Sequence, residues 1–567
     1  MKRLRLQLII VLLALVAIAA LLLSQQPALQ AVEVAPAPAE GGIYSEALVG
    51  TPGRFNPLLD IYNPVDRDVD RLIFSGLIKF DERGLPQPDL AESWGVSQDG
   101  TTYNFALRPD ALWHDGEPVT SDDVIFTIEL MRDENFPTPE DTRKLWNSIE
   151  VRRMNDKTIQ FRLPEPYAPF LDQLTFGILP FHLLGDLSPQ EIINAPFNLN
   201  PVGTGPYLFD SLVINEGEIN GVVLKAFENY YLPRAFIEQF VFRYYPDITA
   251  ALDAYDAGDV LGVGEIPVET LPRALAEPNL GLYSGRLPEL SLVLFNLDNE
   301  DVPFFQELEV RKALYMGLNR QYMIDTIMNG QAILASGPIY PGTWAYYDDQ
   351  VPVTFSPEAS IDILRKAGYT IPAEGGSVRA KEGVRLAFEL VYPDEDYHAA
   401  LAQSIQKYWA ALGVDVTLKA VSYDELVQDY LNPRDYQAAL VDFTTANSPD
   451  PDPYPFWHQA QTPNGQNYSN WDDRQASEYL ETARVTADIG ERERLYRNFQ
   501  VRFDQEIPAL PLFYPVYSFA VDNQVQGVRT GPLFDMSDRF AHVTEWFLFV
   551  ERPGNQGAET TTPSPTP

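Results

Sequence analysis

Ala399-Ala400-Leu401-Ala402-Gln403-Ser404-Ile405-Gln406-Lys407-Tyr408-Trp409-Ala410-Ala411-Leu412-Gly413-Val414-Asp415-Val416-Thr417-Leu418-Lys419 is the stretch on which the reading of the fold turns. Leu401, Ile405, Trp409 and Leu412 return at helical spacing and predict a helix over 399–412. Gly413 suits the left-handed residue that closes a helix. From Val414 the period changes to two, with Val414, Val416 and Leu418 apolar and Asp415, Thr417 and Lys419 polar, which predicts a strand over 414–419. A helix that hands over to a strand through one glycine points to an α/β lobe with parallel strand pairing.

Outward from this unit, helices and strands stay mixed. Residues 102–107 and 158–163 alternate as strands do. Residues 121–131 read as a helix capped by Thr120 or Ser121, with Asp122 and Asp123 in its first turn. Residues 308–329 and 492–504 have the pattern of further amphipathic helices, and 438–443 that of a strand. Near 285–296 and again near 509–521 apolar, β-branched and aromatic residues run almost unbroken, as in strands buried on both faces. Two such passes are what a two-lobed protein needs if the chain leaves one lobe, builds the other and returns.

Composition narrows the function. The 567 residues are enough for more than one folding unit. With 41 Lys+Arg against 80 Asp+Glu the net charge is −39, a surface that repels phosphate backbones, so no nucleic-acid partner is expected. There is no cysteine, which removes thiol nucleophiles, thiolate metal sites, disulfides and a lipidated anchor. Lys2, Arg3 and Arg5 precede an apolar run from Leu8 to Leu23 and a polar stretch ending at Ala31, the order of a secretory signal. Residues 1–31 are therefore read as a signal peptide or signal anchor, 32–42 as a Pro/Ala linker and 553–567 as a disordered tail. The protein is expected outside the cytoplasm.

Four stretches carry a resemblance. The first is Asp89-Leu90-Ala91-Glu92-Ser93-Trp94, followed by Asp99-Gly100-Thr101-Thr102-Tyr103-Asn104-Phe105 and by Trp113-His114-Asp115-Gly116-Glu117-Pro118-Val119-Thr120-Ser121-Asp122-Asp123-Val124. The second is Asn200-Pro201-Val202-Gly203-Thr204-Gly205-Pro206-Tyr207. The third is Leu294-Phe295-Asn296 with the helix around Val310-Arg311-Lys312-Ala313-Leu314, and the fourth is Ser448-Pro449-Asp450-Pro451-Asp452-Pro453-Tyr454. In order and spacing they resemble the family 5 solute-binding proteins, extracytoplasmic receptors of peptide and nickel ABC importers. The resemblance implies an α/β, two-lobed periplasmic-binding-protein-like fold, type II, of the large class with an extra subdomain and a ligand cleft between the lobes. It places lobe 1 at about 43–284 plus 515–552, the extra subdomain at about 60–195, and lobe 2 at about 285–514.

The 94–124 block reads as structural: Gly100 and Gly116 suit hairpin turns, and the polar residues cap a helix. Gly203-Thr204-Gly205-Pro206 lacks the Gly-Lys-Ser/Thr of a phosphate loop and reads instead as a turn where backbone passes close to another element. In the peptide receptors that the chain resembles, the position three before the Asp-Pro pair is usually an aspartate that pairs with the ligand's ammonium group. That position here is Asn447, whose amide oxygen accepts hydrogen bonds but brings no charge. Asn447 and Asp450 are thus candidate ligand residues, Asp450 being able to take over the acid's role. Aromatic residues in expected loops supply the apolar walls of a cleft: Trp344, Tyr346 and Tyr347; Tyr454, Phe456 and Trp457; Tyr514 and Tyr517. Phe55 and Asn56 occupy what the resemblance makes an early cleft-facing loop.

The five histidines never stand at zinc spacing, and His458 beside Trp457 is the one near the expected cleft. Gly-x-Ser-x-Gly, Walker and His-Glu-x-x-His sequences are missing, so no enzymatic activity, cofactor or metal is expected. What is expected is a monomeric extracytoplasmic receptor that captures oligopeptides, dipeptides or related solutes and passes them to a membrane ABC permease. The alternatives are a receptor for a non-peptide solute, a sugar or metal chelate, and a sensor or chaperone on the same fold.

Overall fold

A computed structural model describes residues 38–373, 375–445 and 448–549. The expected signal segment, most of the tether, the tail and Asn447 lie outside the described residues. Among those described, twelve strands join one sheet: β1 Ile43–Val49, β2 Tyr207–Asn215, β3 Glu218–Ala226, β4 Gln239–Tyr245, β5 Gly262–Val263, β6 Leu280–Arg286, β7 Glu289–Phe295, β8 Ala332–Leu334, β9 Ala387–Pro393, β10 Asp415–Val421, β11 Ala438–Thr444 and β12 Ala509–Asp522. Their order is β10-β9-β11-β7-β12-β5-β1-β4-β3-β2, with β6 and β8 also paired to β12.

The α/β expectation is met where it was derived. The helix Asp396–Ala411 connects β9 to β10, and the two strands pair in parallel from Ala387↔Asp415 to Pro393↔Val421. β9 is also parallel to β11. The helix begins three residues before the expected start, where Tyr397 packs on the core and the buried His398 is held by Glu395 and Asp442. β7 is buried on both sides, as its unbroken apolar run implied. Val293 and Phe295 enter a core with Ile405 and Trp409, whereas Leu292 and Leu294 enter another with Trp457 and Phe503. Each such side chain contributes about 1.5–3 kcal/mol on burial, so losing either face would be costly.

β12 ties the two ends of the sheet together. Its residues up to Phe513 pair with β7, Phe513–Pro515 with β8, and Val516–Asp522 with β6. At about 3.4 Å per residue its 14 residues span roughly 45 Å, enough to run from one half of the sheet into the other. β6 and β7 make the opposite passage beside it, separated by Leu287 and Pro288, and proline has no N–H to continue the ladder.

A separate antiparallel sheet, in the order 91–96, 102–107, 158–162 and 150–155, packs on the helix Ser121–Arg132 around Phe105, Trp113, Trp146 and Phe161. Thr120 is the N-cap, and its backbone N–H donates to the Asp123 carboxylate at 2.7 Å. The expected helix over 308–329 is two helices, Leu308–Met316 and Arg320–Thr326. Gly317 weakens the helix there, and the Asn319 side chain accepts the Tyr322 N–H at 3.0 Å, so a new helix starts instead of the old one continuing. Gly203 and Gly205 do mark a close backbone approach: an added Cβ would stand 2.0 Å from the Ile73 carbonyl oxygen and 2.4 Å from that of Leu72.

Candidate functional site

The parallel strands β9, β10 and β11 end on one side of the sheet, where open α/β sheets place their ligands. The loop after β11, the segment 337–347 after β8 and the crossing between β6 and β7 all lie against this edge. Residues 81–85 and 167–172 pack over them. The Asp172 carboxylate accepts the Ser448 hydroxyl at 2.7 Å and the Asp450 N–H at 2.9 Å. The Trp344 N–H donates to the Arg83 carbonyl at 2.9 Å. The Arg484 guanidinium lies 5.5 Å from the Tyr167 ring centre and 4.0 Å from that of Tyr454. Burial, and then the neighbouring Asp450, push the Asp172 carboxyl well above the usual carboxylate range.

Asp450, expected as a ligand group, is committed within the fold. Its two oxygens accept from Nη1 and Nη2 of Arg492 at 2.6 and 2.8 Å, and both side chains are buried. Arg492 also rests on the Trp344 ring, 4.9 Å from its centre, and reaches the Tyr496 hydroxyl at 3.0 Å. Asp452 is likewise engaged, by Arg484 at 2.6 Å. The Pro-rich loop is therefore held by two ion pairs.

The aromatic candidates divide. Trp344 is 4% exposed and packs on Tyr496, while Tyr346 shares a hydrogen bond with Ser336 at 2.8 Å. Tyr454 stacks on His458 with ring centres 4.1 Å apart. Trp457 meets Phe503 edge-on and lines a cavity with Leu290, Tyr340, Phe443, Thr445 and Phe456. Tyr514 and Tyr517 lie on β12 and not in loops, and both are buried, with hydroxyls given to the carbonyls of Gly337 and Gly264. Phe55 and Asn56 are fully buried in the core around β1, the Asn56 amide donating to Asn198 at 3.0 Å. The structure brings Trp344, Tyr346, Asp450, Tyr454 and Trp457 to one region and puts Phe55 and Asn56 elsewhere.

The cavity at this edge holds about 10 Å³, roughly the space of one water molecule. It is too small for a peptide in this conformation. A larger cavity of about 570 Å³ lies between Lys312, Met316, Thr354 and Asp504.

His458 and His114 are committed within the fold. His458 accepts the Ala460 N–H on Nδ1, so Nε2 carries the proton and donates to Glu481 at 2.8 Å. His114 accepts the Gly203 N–H and touches the Gly205 carbonyl, and burial lowers it to about 4. Among the described residues no group of three or more His, Cys, Asp or Glu could hold a metal ion.

Residues 86–466 match the model of the bacterial extracellular solute-binding proteins, family 5. The chain belongs to this family. The oligopeptide-binding protein AppA of Bacillus subtilis is 24% identical over 90% of this chain and 92% of its own length. The nickel-binding periplasmic protein of Escherichia coli is 28% identical over 82% and 87%. Among solved structures, HbpA2 from Haemophilus parasuis aligns with a TM-score of 0.77 at 21% identity, covering 90% of this chain and all of that one. The fold is that of two-lobed periplasmic binding proteins, and the family is one of solute-binding proteins that work outside the cytoplasm. Among the described residues no helix is long and apolar enough to cross a membrane.

Some residues of the closed edge carry no sequence signal. Asp172 sits in an unremarkable Pro-Phe-Leu-Asp run, and Arg492 in a charged helical face. Arg286 and Glu289 had one: they are charges that interrupt an otherwise apolar pass.

Proposed function

We propose that the protein is the extracytoplasmic receptor of an ABC importer, which binds a small peptide or related solute between its halves and delivers it to a membrane permease. The observation that carries this is the contact of Asp172 with the Ser448–Asp450 loop, whose next residues, Pro451 to Pro453, line a cavity with Tyr340, Phe443 and Trp457. Peptide- and dipeptide-binding relatives support the solute class. The lobes proposed are 43–284 plus 515–552, with the extra subdomain at about 60–195, and 285–514. The hinge is then the pair of crossings at β6–β7 and β12, and ligand contacts supply the free energy that favours the closed state. Residues 1–31 export the protein and either leave or anchor it, and it acts as a monomer without hydrolysing its ligand.

With Asp450 engaged by Arg492, an uncharged asparagine at 447 in the sequence favours a second reading, a non-peptide solute without a free amine. Native mass spectrometry of the protein purified without refolding, followed by identification of what denaturation releases, tests both. Short peptides support the first reading, and a single sugar or chelate the second.

A further inference from the structure

Five arginines are buried among the described residues, and four are fully accounted for. Arg311 donates to the carbonyls of Phe305, Glu506 and Ile507, and Arg320 to those of Ala335, Pro511 and Val353. Arg492 has Asp450, and Arg539 has Glu46 and Asp68. Arg286 is the exception. It is 5% exposed, no carboxylate among the described residues pairs with it, and Nη2 has no acceptor. Its one hydrogen bond is a 3.5 Å contact from Nη1 to the carbonyl of the next residue. The guanidinium lies over the Tyr340 ring, 5.6 Å from its centre, which offsets part of the charge but leaves the N–H groups unmade. Burial lowers its pKa to about 10, as for a cation with no partner.

Position gives this defect a direction. Arg286 ends β6 at the crossing between halves, and the Tyr340 beneath it lines the small cavity at the cleft edge. Thr445, in the same cavity wall, is pinned to the crossing by its N–H on the Pro288 carbonyl at 2.9 Å, and its side chain meets the Tyr340 hydroxyl. Arg286 is therefore an unpaired buried cation stacked on a residue of that cavity's wall, and a buried cation left alone is a strong liability to the fold. We infer that Arg286 receives the carboxylate of the bound solute at the hinge. This rests on the receptor reading and adds to it a ligand class, solutes with a free carboxylate, and the residue that reads it. A planar carboxylate matches the guanidinium fork and completes the missing hydrogen bonds.

The test uses the full chain, stripped of solute in denaturant and refolded, and a random library of two- to nine-residue peptides in free-carboxyl and C-amidated forms. The protein retains the free-carboxyl form at least about 10-fold over the amide, the worth of a charge-assisted hydrogen bond. Arg286→Met erases that preference and raises the melting temperature of the ligand-free protein, because an unpaired cation is gone; Arg286→Lys keeps charge without the fork and shows a reduced preference. Equal retention of both libraries overturns the role of Arg286 and leaves the peptide receptor standing. A lower melting temperature for Arg286→Met, or failure of both variants to fold, makes the arginine structural and also overturns it. Retention of neither library sinks the peptide reading instead. A succinate titration at constant ionic strength then decides on Arg286: succinate stabilises the parent and not Arg286→Met if the inference holds, and acts on both alike if it does not.

Discussion

Asp450→Ala separates a structural acid from a ligand-binding one. In the parent, both Asp450 oxygens are spent on Arg492, whose side chain is 2% exposed. Removing the carboxylate leaves a buried guanidinium with the Tyr496 hydroxyl at 3.0 Å, the Ala483 carbonyl at 3.1 Å and the face of Trp344. Breaking a buried pair from one side costs about 3–5 kcal/mol. The lower end applies here, because Asp172 also feels the Arg492 charge and is relieved of Asp450's repulsion. A loss of about 3 kcal/mol corresponds to a fall of roughly 6–12 °C in melting temperature for a unit of 150–250 residues. Scanning calorimetry and urea unfolding of the ligand-free protein measure it. The double variant Asp450→Leu/Arg492→Met recovers most of the loss, since an apolar pair of similar volume removes the uncompensated charge. If Asp450→Ala melts with the parent but no longer binds solute, the reasoning is refuted and Asp450 is a ligand group.

Asp172→Ala removes the acceptor of Ser448 and of the Asp450 N–H, which weakens closure by about 1–3 kcal/mol and is read as a larger radius of gyration in small-angle X-ray scattering and faster amide exchange at 448–452; Asp172→Asn, which keeps an oxygen, stays closed. Glu289 is raised from 4.5 to about 7 by burial and then by Asp442, so between those values the folded protein holds a proton that the unfolded chain has lost. Stability at this site is thus full below about pH 4.5 and falls as pH rises through 7, and Glu289→Gln is neutral at pH 4 and stabilising by up to about 3 kcal/mol at pH 8 in denaturant titrations. Gly203→Ala puts a methyl 2.0 Å from the Ile73 carbonyl oxygen and lowers the melting temperature by several degrees or prevents folding, whereas Gly95→Ala, with nothing within 4 Å of the new Cβ, leaves clashes out of its effect and serves as the control.

The sequence alone determined the features that are local or periodic. The helix-glycine-strand unit at 399–419 specified parallel pairing, since period and terminator sit within one stretch of chain. The two apolar passes specified strands buried on both faces, and the net charge and missing cysteines excluded classes of function at once. The break of the expected 308–329 helix at Gly317 was less legible, because an amphipathic period carries on across a cap. The chemistry of the cleft edge was decided only by tertiary structure. Asp450 looks like a free acid until Arg492, 42 residues away, takes both oxygens, and Asp172 matters only because the loop at 448–450 folds onto it from a distance of 276 residues. Arg286 is visible in the sequence as a charge that interrupts an apolar pass, but that it is buried without a partner is decided only in the tertiary structure. Period and composition are sums over neighbours in the chain, whereas pairing and desolvation depend on which distant groups share a space, and no pattern along the chain encodes that.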